Sequence, residues 1–370
     1  MPFLQRLMRW DATYFAQVAT QGYEYVRDGL SHNVGFFPLY PLLAAAAMRL
    51  GVPFVVAGPL INGVAFALML FVVFAWVGER YGRGVARWTV ATLCFVPMSL
   101  FGTVAYSEGL FMLLSAAALR DFENARYGRA SAWAFLASAT RSMGLALVPA
   151  FALAAFVDRR RPAAYATACA ALAGPLLYAA YCGAAFGDPL AYWHVQAAWR
   201  HALGFTVASY GDVLGWRTIV LSGLGLMGGV DWRVQAAIGG LVALWWFRQG
   251  VMSRVSAALA ALLLLFAEVP LWGDSRSLFL AVAGGLPAVA AFARRLGVAP
   301  AAYVATGAVI LATSGPPISV DRLAYGLVPL SIALGMVWER VPALGLPVLI
   351  VYALQLPEAA QRFVEQKWVA

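Results

Sequence analysis

Charged side chains are scarce here: Asp, Glu, Lys and Arg make up 12% of the 370 residues, against roughly 25% in a soluble domain. That deficit, set against 62% hydrophobic content, excludes an ordinary soluble fold. Lysine is almost missing, Lys367 standing alone among arginines. With abundant Ala and Gly, this usage points to a GC-rich bacterial genome. Cysteine is also rare: Cys94, Cys169 and Cys182 lie in apolar stretches without ligand spacing and read as packing residues. No His/carboxylate spacing forms a dedicated metal cage, so neither metal nor cofactor is expected. Internal repeats, linkers and soluble domains are absent from the pattern as well.

What the chain has instead is long apolar runs. Several exceed the roughly 18 residues that a bilayer span requires. Val55–Gly78 and Ala163–Phe186 contain no charged residue at all. Only helices and closed barrels satisfy their backbones in lipid, and these lengths are helical. A single polytopic, all-α membrane protein over residues 1–370 follows. The net charge of +9 would suit nucleic acid, but its distribution argues against that partner. The basic residues cluster in short connections such as ERYGRGVAR, RDFENARYGR, DRRRP and ARRLG. That is the positive-inside pattern, in which charge sets topology.

If Val55–Gly78 ends at the basic Glu79–Arg87 segment, that end is cytoplasmic. Trp88–Ala105 then runs outward, Glu108–Leu119 returns, and Arg120–Arg129 is cytoplasmic again. The next basic loop is Asp158–Pro162, so the chain must leave and return within Ala130–Val157. That is too short for two full spans of about 20 residues each. A pair of short helices broken near Arg141-Ser142-Met143-Gly144 resolves the parity, since irregular backbone at membrane depth is tolerated only inside protein or a wet cavity. Ala163–Phe186 then runs outward, which puts Gly187–Asp231 outside, with its aromatic PLAYWHVQAAWRH. Val234–Phe247 returns to Arg248–Arg254. Val255–Trp272, Ser277–Ala293, Val298–Ser314, Leu323–Trp338 and Pro342–Leu356 alternate after that. The total is about ten spans plus the broken pair.

Residues 1–54 fall outside by the same parity, as an extracytoplasmic loop with interfacial helices ahead of the bundle at 55–370. Phe36–Leu50, with two prolines, is too short to count as a span. Asp11 then shares a face with Glu108, His194, Arg276 and Arg322, opposite the basic loops.

Four stretches, WDATYFAQVATQGY, HNVGFFPLYPLL, AYSEGLFMLLS and ATRSMG, resemble in that order the PIG-V family of mannosyltransferases, multi-spanning enzymes of the GT-C type. SVDRLAYGLVPL and the ending FVEQKWVA are similar to the family's C-terminal pattern. The resemblance implies an inverting glycosyltransferase of the extracytoplasmic face, in the bacterial plasma membrane. Such an enzyme moves a sugar, mannose first, from a polyprenyl-phosphate donor to a lipid or glycolipid acceptor. It also implies that the acid of the first extracytoplasmic loop, here Asp11, is the general base. The family opens with a membrane helix ahead of its Trp-Asp motif, where this sequence has MPFLQRLMR. It also carries Arg-Ser-Asn-Gly where this sequence has Arg-Ser-Met-Gly, and an acid where Ser31 stands.

Each candidate has a plainer alternative. Asp11 is either the base or the N-cap of a helix whose apolar face is Ala12, Phe15, Val18, Ala19 and Gly22. Trp10 anchors at the interface or stacks on substrate. Glu108, after Tyr106-Ser107, either complements a helix start or orients the acceptor. Arg141 is an intramembrane arginine, a functional position by default, or a structural partner of Glu108. Arg322 suits a phosphate, because its guanidinium matches phosphate oxygens; Arg276 reads as a local ion pair or a snorkelling side chain. His194 is a packing residue or an acid assisting phosphate departure. His32 and Asn33 line the acceptor entrance. A transporter of lipid-linked sugars is the alternative outside enzymes, yet transporters show paired broken helices in two halves, and only one broken pair is found here.

Overall fold

The computed structural model describes residues 5–196, 198, 285–313, 319–367 and 369, and these residues contain helices without a strand. The N-terminal region forms two short helices, α1 (Asp11–Gln21) and α2 (Leu39–Arg49), joined through a 3₁₀ turn at Asn33–Gly35. Then come α3 (Phe54–Tyr81), α4 (Arg83–Phe95), a 3₁₀ turn at Pro97–Gly102, and α5 (Glu108–Glu123). The broken pair follows as α6 (Tyr127–Thr140), a 3₁₀ turn at Ser142–Ala146, and α7 (Leu147–Val157). Next are α8 (Pro162–Phe186) and the single turn α9 (Ala191–His194). After residue 284 come α10 (Leu286–Leu296), α11 (Val298–Thr313), α12 (Val320–Tyr325), α13 (Val328–Arg340) and α14 (Pro342–Val364).

Three of these helices, α3, α8 and α14, are long and apolar enough to cross a membrane. Their punctuation explains their limits. Helix α8 opens on Pro162, whose missing N–H is no loss in a first turn, and ends at Gly187 with φ 71°, a left-handed position that glycine fills without strain. Helix α3 stops at Gly82, at φ 97°. The protein is therefore an integral membrane protein. The shorter apolar stretches 142–157 and 298–311 fall below that length.

Helix α6 packs along α8, α5 packs between α3 and α6, and α13 lies on α4. Small residues permit the closest of these contacts, as is usual where no water drives helices together. Ala130, Ala134, Ala137 and Ser138 of α6 and Ala164, Ala168, Ala171 and Gly174 of α8 are all small and all buried. A Cβ on Gly174 would stand 2.5 Å from the Ala139 nitrogen, and one on Gly144 2.5 Å from the Ser138 Cα. Both glycines are therefore required by close backbone approach.

The structure redraws several sequence expectations. The Glu79–Arg87 connection is a single residue, Gly82, because α4 already begins at Arg83. Trp88–Ala105 is not one span: α4 ends before Pro97, which cannot donate the next helical hydrogen bond. Leu323–Trp338 is divided into α12 and α13 around Gly326-Leu327, just ahead of Pro329. Helix α14 runs past Leu356 to Val364. The break at Arg141 is where parity put it. Spans at 234–247 and 255–272, the cytoplasmic turn at 248–254, most of the 187–231 loop, and Arg276 lie outside the described residues.

Candidate active site

Helix α1 starts at Asp11 itself, with Trp10 in the cap position and no side-chain cap bond. Asp11 is thus not the N-cap, and its carboxylate is free of the backbone ladder. Trp10 adopts φ 54° and ψ −118°, a left-handed backbone that non-glycine residues avoid and that tends to occur at functional sites. The Asp11 Oδ2 meets the Arg322 Nη1 at 2.7 Å. Arg322 comes from the short helix α12, which follows Ser319 at φ 59°. Asp11 therefore sits directly after a residue held in the left-handed region, and Arg322 three residues after another.

Glu108 is the first residue of α5 and is buried, where the positive end of the helix complements its charge. Its Oε1 lies 2.6 Å from Arg141 Nη1 and 3.2 Å from Arg322 Nε. Neither carboxylate oxygen attains aligned hydrogen-bond geometry, so Glu108 bridges the two arginines by charge. Arg141 occupies the extended break between α6 and the 3₁₀ turn, and its Nη1 also donates to Ser107 Oγ at 3.1 Å. The resulting chain runs Asp11, Arg322, Glu108, Arg141. It contains two carboxylates and two guanidiniums.

Rings complete the setting. The Arg322 guanidinium lies 5.2 Å from the Phe101 centroid and 5.1 Å from that of Tyr106, within cation–π range. The Tyr106 hydroxyl donates to the Arg9 carbonyl at 3.2 Å, tying the α5 entry to the approach of α1.

One positioning residue escaped sequence reasoning. Asn62, fully buried in α3, donates through Nδ2 to the carbonyls of Phe101 (2.7 Å) and Val104 (2.9 Å). Its Oδ1 accepts from Gly109 N–H at 2.7 Å. A Cβ at Gly109 would come within 2.5 Å of the Asn62 carbonyl, so α5 touches α3 directly here. Asn62 thereby holds the segment that carries Phe101, Tyr106, Ser107 and Glu108. The available signal was an amide in the middle of an uncharged span.

Sequence-singled His32, Asn33 and His194 gather elsewhere. Asn33 is buried and braces its own loop, its side chain accepting from Glu24 N–H (2.8 Å) and donating to the Gly22 carbonyl (3.1 Å). His32 Nε2 pairs with Asp28 Oδ1 at 2.9 Å. His194 Nδ1 donates to Asp188 Oδ2 at 2.7 Å, and the Tyr25 hydroxyl donates to the same oxygen at 3.0 Å. Partial burial pushes the Asp188 carboxyl up, but the bonds from His194, Leu190 N–H and Tyr25 outweigh it and leave it below the usual range. This second cluster docks the 22–36 loop onto α8 and α9. Trp10 remains 40% exposed beside the first cluster. No group of three metal-ligating side chains occurs among the described residues.

Comparison with known proteins bears out the resemblance over the N-terminal part of the chain. Residues 2–169 match the family model Mannosyltransferase (PIG-V), a stretch that contains Trp10, Asp11, His32, Asn33, Tyr106, Glu108 and Arg141. The chain is 28% identical over 160 residues to GPI mannosyltransferase 2 of Drosophila pseudoobscura pseudoobscura, an alignment covering 38% of this chain and 34% of that protein. It is 33% identical over 151 residues to GPI alpha-1,6-mannosyltransferase 2 of Mus musculus, covering 38% and 29% respectively. The chain thus spans about a third of the length of these relatives. Among solved structures, the Archaeoglobus fulgidus oligosaccharyltransferase complex with Zn and sulfate aligns with 99% of this chain and 48% of its own, at 15% identity and a TM-score of 0.46.

Proposed function

We propose that the chain is a membrane-embedded glycosyltransferase that moves a sugar, mannose first, from a polyprenyl-phosphate-linked donor to a lipid or glycolipid acceptor at the extracytoplasmic face. One observation carries the proposal: Asp11 and Glu108, with Arg141 paired to Glu108, all within the stretch matched by the mannosyltransferase model, meet Arg322 from the far end of the chain.

The arrangement suits an inverting transfer. The acceptor hydroxyl oxygen bonds to the sugar's anomeric carbon from the side opposite the phosphate. Asp11 accepts the hydroxyl proton, while the bond from the anomeric carbon to the phosphate oxygen breaks and the phosphate leaves with the electron pair. Arg322 and Arg141 stabilise the charge on that departing phosphate, fixed in place before the reaction begins. Glu108 keeps the two guanidiniums together. The apolar tail of the donor keeps its phosphate near the membrane surface, where α1 and α12 meet.

The test is transfer of radiolabel from polyprenyl-phosphate-mannose to extractable lipid in membranes carrying the protein. Wild-type membranes produce labelled glycolipid, and Asp11→Asn lowers the rate by about 10²–10⁴-fold at equal expression. Full activity in Asp11→Asn removes Asp11 from the role of base; absence of labelled product in the wild type removes this donor.

A further inference from the structure

In the structure, the proton acceptor of the proposed reaction is already occupied. Asp11 Oδ2 is engaged by Arg322 at 2.7 Å, so one of its two carboxylate oxygens is committed to the arginine and the side chain is held in the orientation of that pair. The cluster is also electrically balanced, with two acids facing two arginines. A phosphate entering it adds negative charge to a site whose Glu108 and Arg322 are buried, and unpaired charge there is costly. Withdrawal of a group of the same sign restores the balance among these four side chains.

The geometry identifies which one. The Glu108 side chain retains 3% of its accessible surface and is shared by two arginines, so its departure would strand both. The Asp11 side chain retains 28% and is held by Arg322. Arg322 itself is fixed, with rings of Phe101 and Tyr106 over its guanidinium and Glu108 at its Nε. Trp10, at φ 54°, puts backbone strain directly before Asp11.

We propose that Arg322 is a shared counterion: the phosphate headgroup of a lipid-linked donor displaces Asp11 from Arg322, and that displacement makes the carboxylate available to the acceptor hydroxyl. This inference rests on the transferase reading above. Its consequence is order. Donor binding arms the base, and an acceptor that arrives alone meets a carboxylate still bound to arginine.

The test is equilibrium binding of farnesyl phosphate to the full chain in detergent micelles, with farnesol and inorganic phosphate alongside. Asp11→Asn and Asp11→Ser remove the competing charge, and two variants guard against one failing to fold. Both bind farnesyl phosphate about tenfold more tightly than wild type, as expected when the competent form is a minor one at rest. Arg322→Gln loses that binding, farnesol shows no difference between wild type and the Asp11 variants, and inorganic phosphate binds more weakly than the lipid in every case. Equal or weaker farnesyl phosphate binding by both Asp11 variants, with Arg322→Gln still deficient, overturns the exchange while leaving the transferase reading intact. Absence of phosphate-dependent binding in every form overturns both. Inorganic phosphate binding as tightly as farnesyl phosphate overturns the lipid-linked class of ligand.

Discussion

Arg322 combines three demands that a different cation does not meet together. Its plane lies near Phe101 and Tyr106, its Nη1 reaches Asp11, and its Nε faces Glu108. Lysine carries the charge as a compact point on a flexible stem and offers neither the stacked plane nor two fixed donor directions. Arg322→Lys should therefore keep the protein folded but forfeit the ring contacts, worth about 0.5–2 kcal/mol, along with one of the charge-assisted bonds. The expected outcome is a fall in kcat of roughly 10–100-fold, each factor of ten corresponding to about 1.4 kcal/mol. Transfer kinetics in membranes measure it, and a wild-type kcat would show that charge alone suffices. At this scale much of the site was legible. In a chain so poor in charge, an acid or arginine at a helix end is conspicuous, which is how Asp11, Glu108, Arg141 and Arg322 could be singled out. The sequence left open whether Arg141 and Glu108 serve each other or the substrate; their 2.6 Å separation shows that they are partners. It could not show that His32 and His194 each take a nearby aspartate, Asp28 and Asp188, away from the arginine cluster.

Elements hold these side chains in register. The turn at Pro97–Gly102 and the entry to α5 depend on Asn62, whose bonds reach residues 39, 42 and 47 positions away. Such partners are backbone groups, invisible to any residue pattern, which is why Asn62 could not be read as part of the site. Asn62→Leu conserves volume, removes the Asn62 partner of the Phe101 carbonyl and of the Gly109 N–H, and leaves the Val104 carbonyl with the Tyr106 N–H alone, at about 1–3 kcal/mol for each buried group left unpaired. The variant should melt at lower temperature and, assayed below that temperature, show reduced kcat because Tyr106 and Glu108 are no longer held. A lower melting point with unchanged kcat would limit Asn62 to stability. Similar reasoning explains which helices were legible: uncharged runs such as α3 and α8 announce themselves, whereas the stops at Pro97 and at Gly326-Leu327 fall inside apolar stretches of span-like length. The loop at 22–36 makes a prediction of a different kind. The Asp188 carboxyl lies below its ordinary range when folded, so its contribution is complete above that range and is lost as pH falls through the depressed value. The melting difference between wild type and Asp188→Asn should accordingly be largest near neutral pH and shrink below about pH 4. A difference that is independent of pH would mean that shape, and not the charge on Asp188, docks the loop.

Among the described residues, two clusters of charged groups lie at different positions along α3 and α5. Asn62 and the arginine cluster occupy one end of α3, while Arg80 near its other end pairs with Glu123, some 18 residues or about 27 Å along the helix. Helix α5 links the same two ends, starting at Glu108 and finishing at Glu123, about 22 Å apart at 1.5 Å per residue. Acids at the C-terminal end of a helix oppose its dipole, so Asp121 and Glu123 depend on their partners. Glu123 receives Arg80 and Arg160, the latter at 3.2 Å; Asp121 receives Arg129 at 3.0 Å and the Trp133 indole N–H at 3.0 Å. Arg160 also donates to the Phe122 carbonyl at 2.8 Å and lies over the Phe122 ring. Arginines that composition assigns to topology alone therefore also fasten α3, α5 and the start of α8 together. Removing the Glu123 charge leaves two guanidiniums facing a neutral amide, a loss of roughly 1.5–3 kcal/mol that the half-exposed Arg80 moderates by turning to water. Glu123→Gln should lower the melting temperature in detergent and leave kcat near wild type at temperatures where the protein is folded. Because the two clusters share α5, the opposite result is informative: kcat lost at an unchanged melting temperature would mean that a disturbance at Glu123 travels the length of that helix to Glu108, and that the ends act as one device.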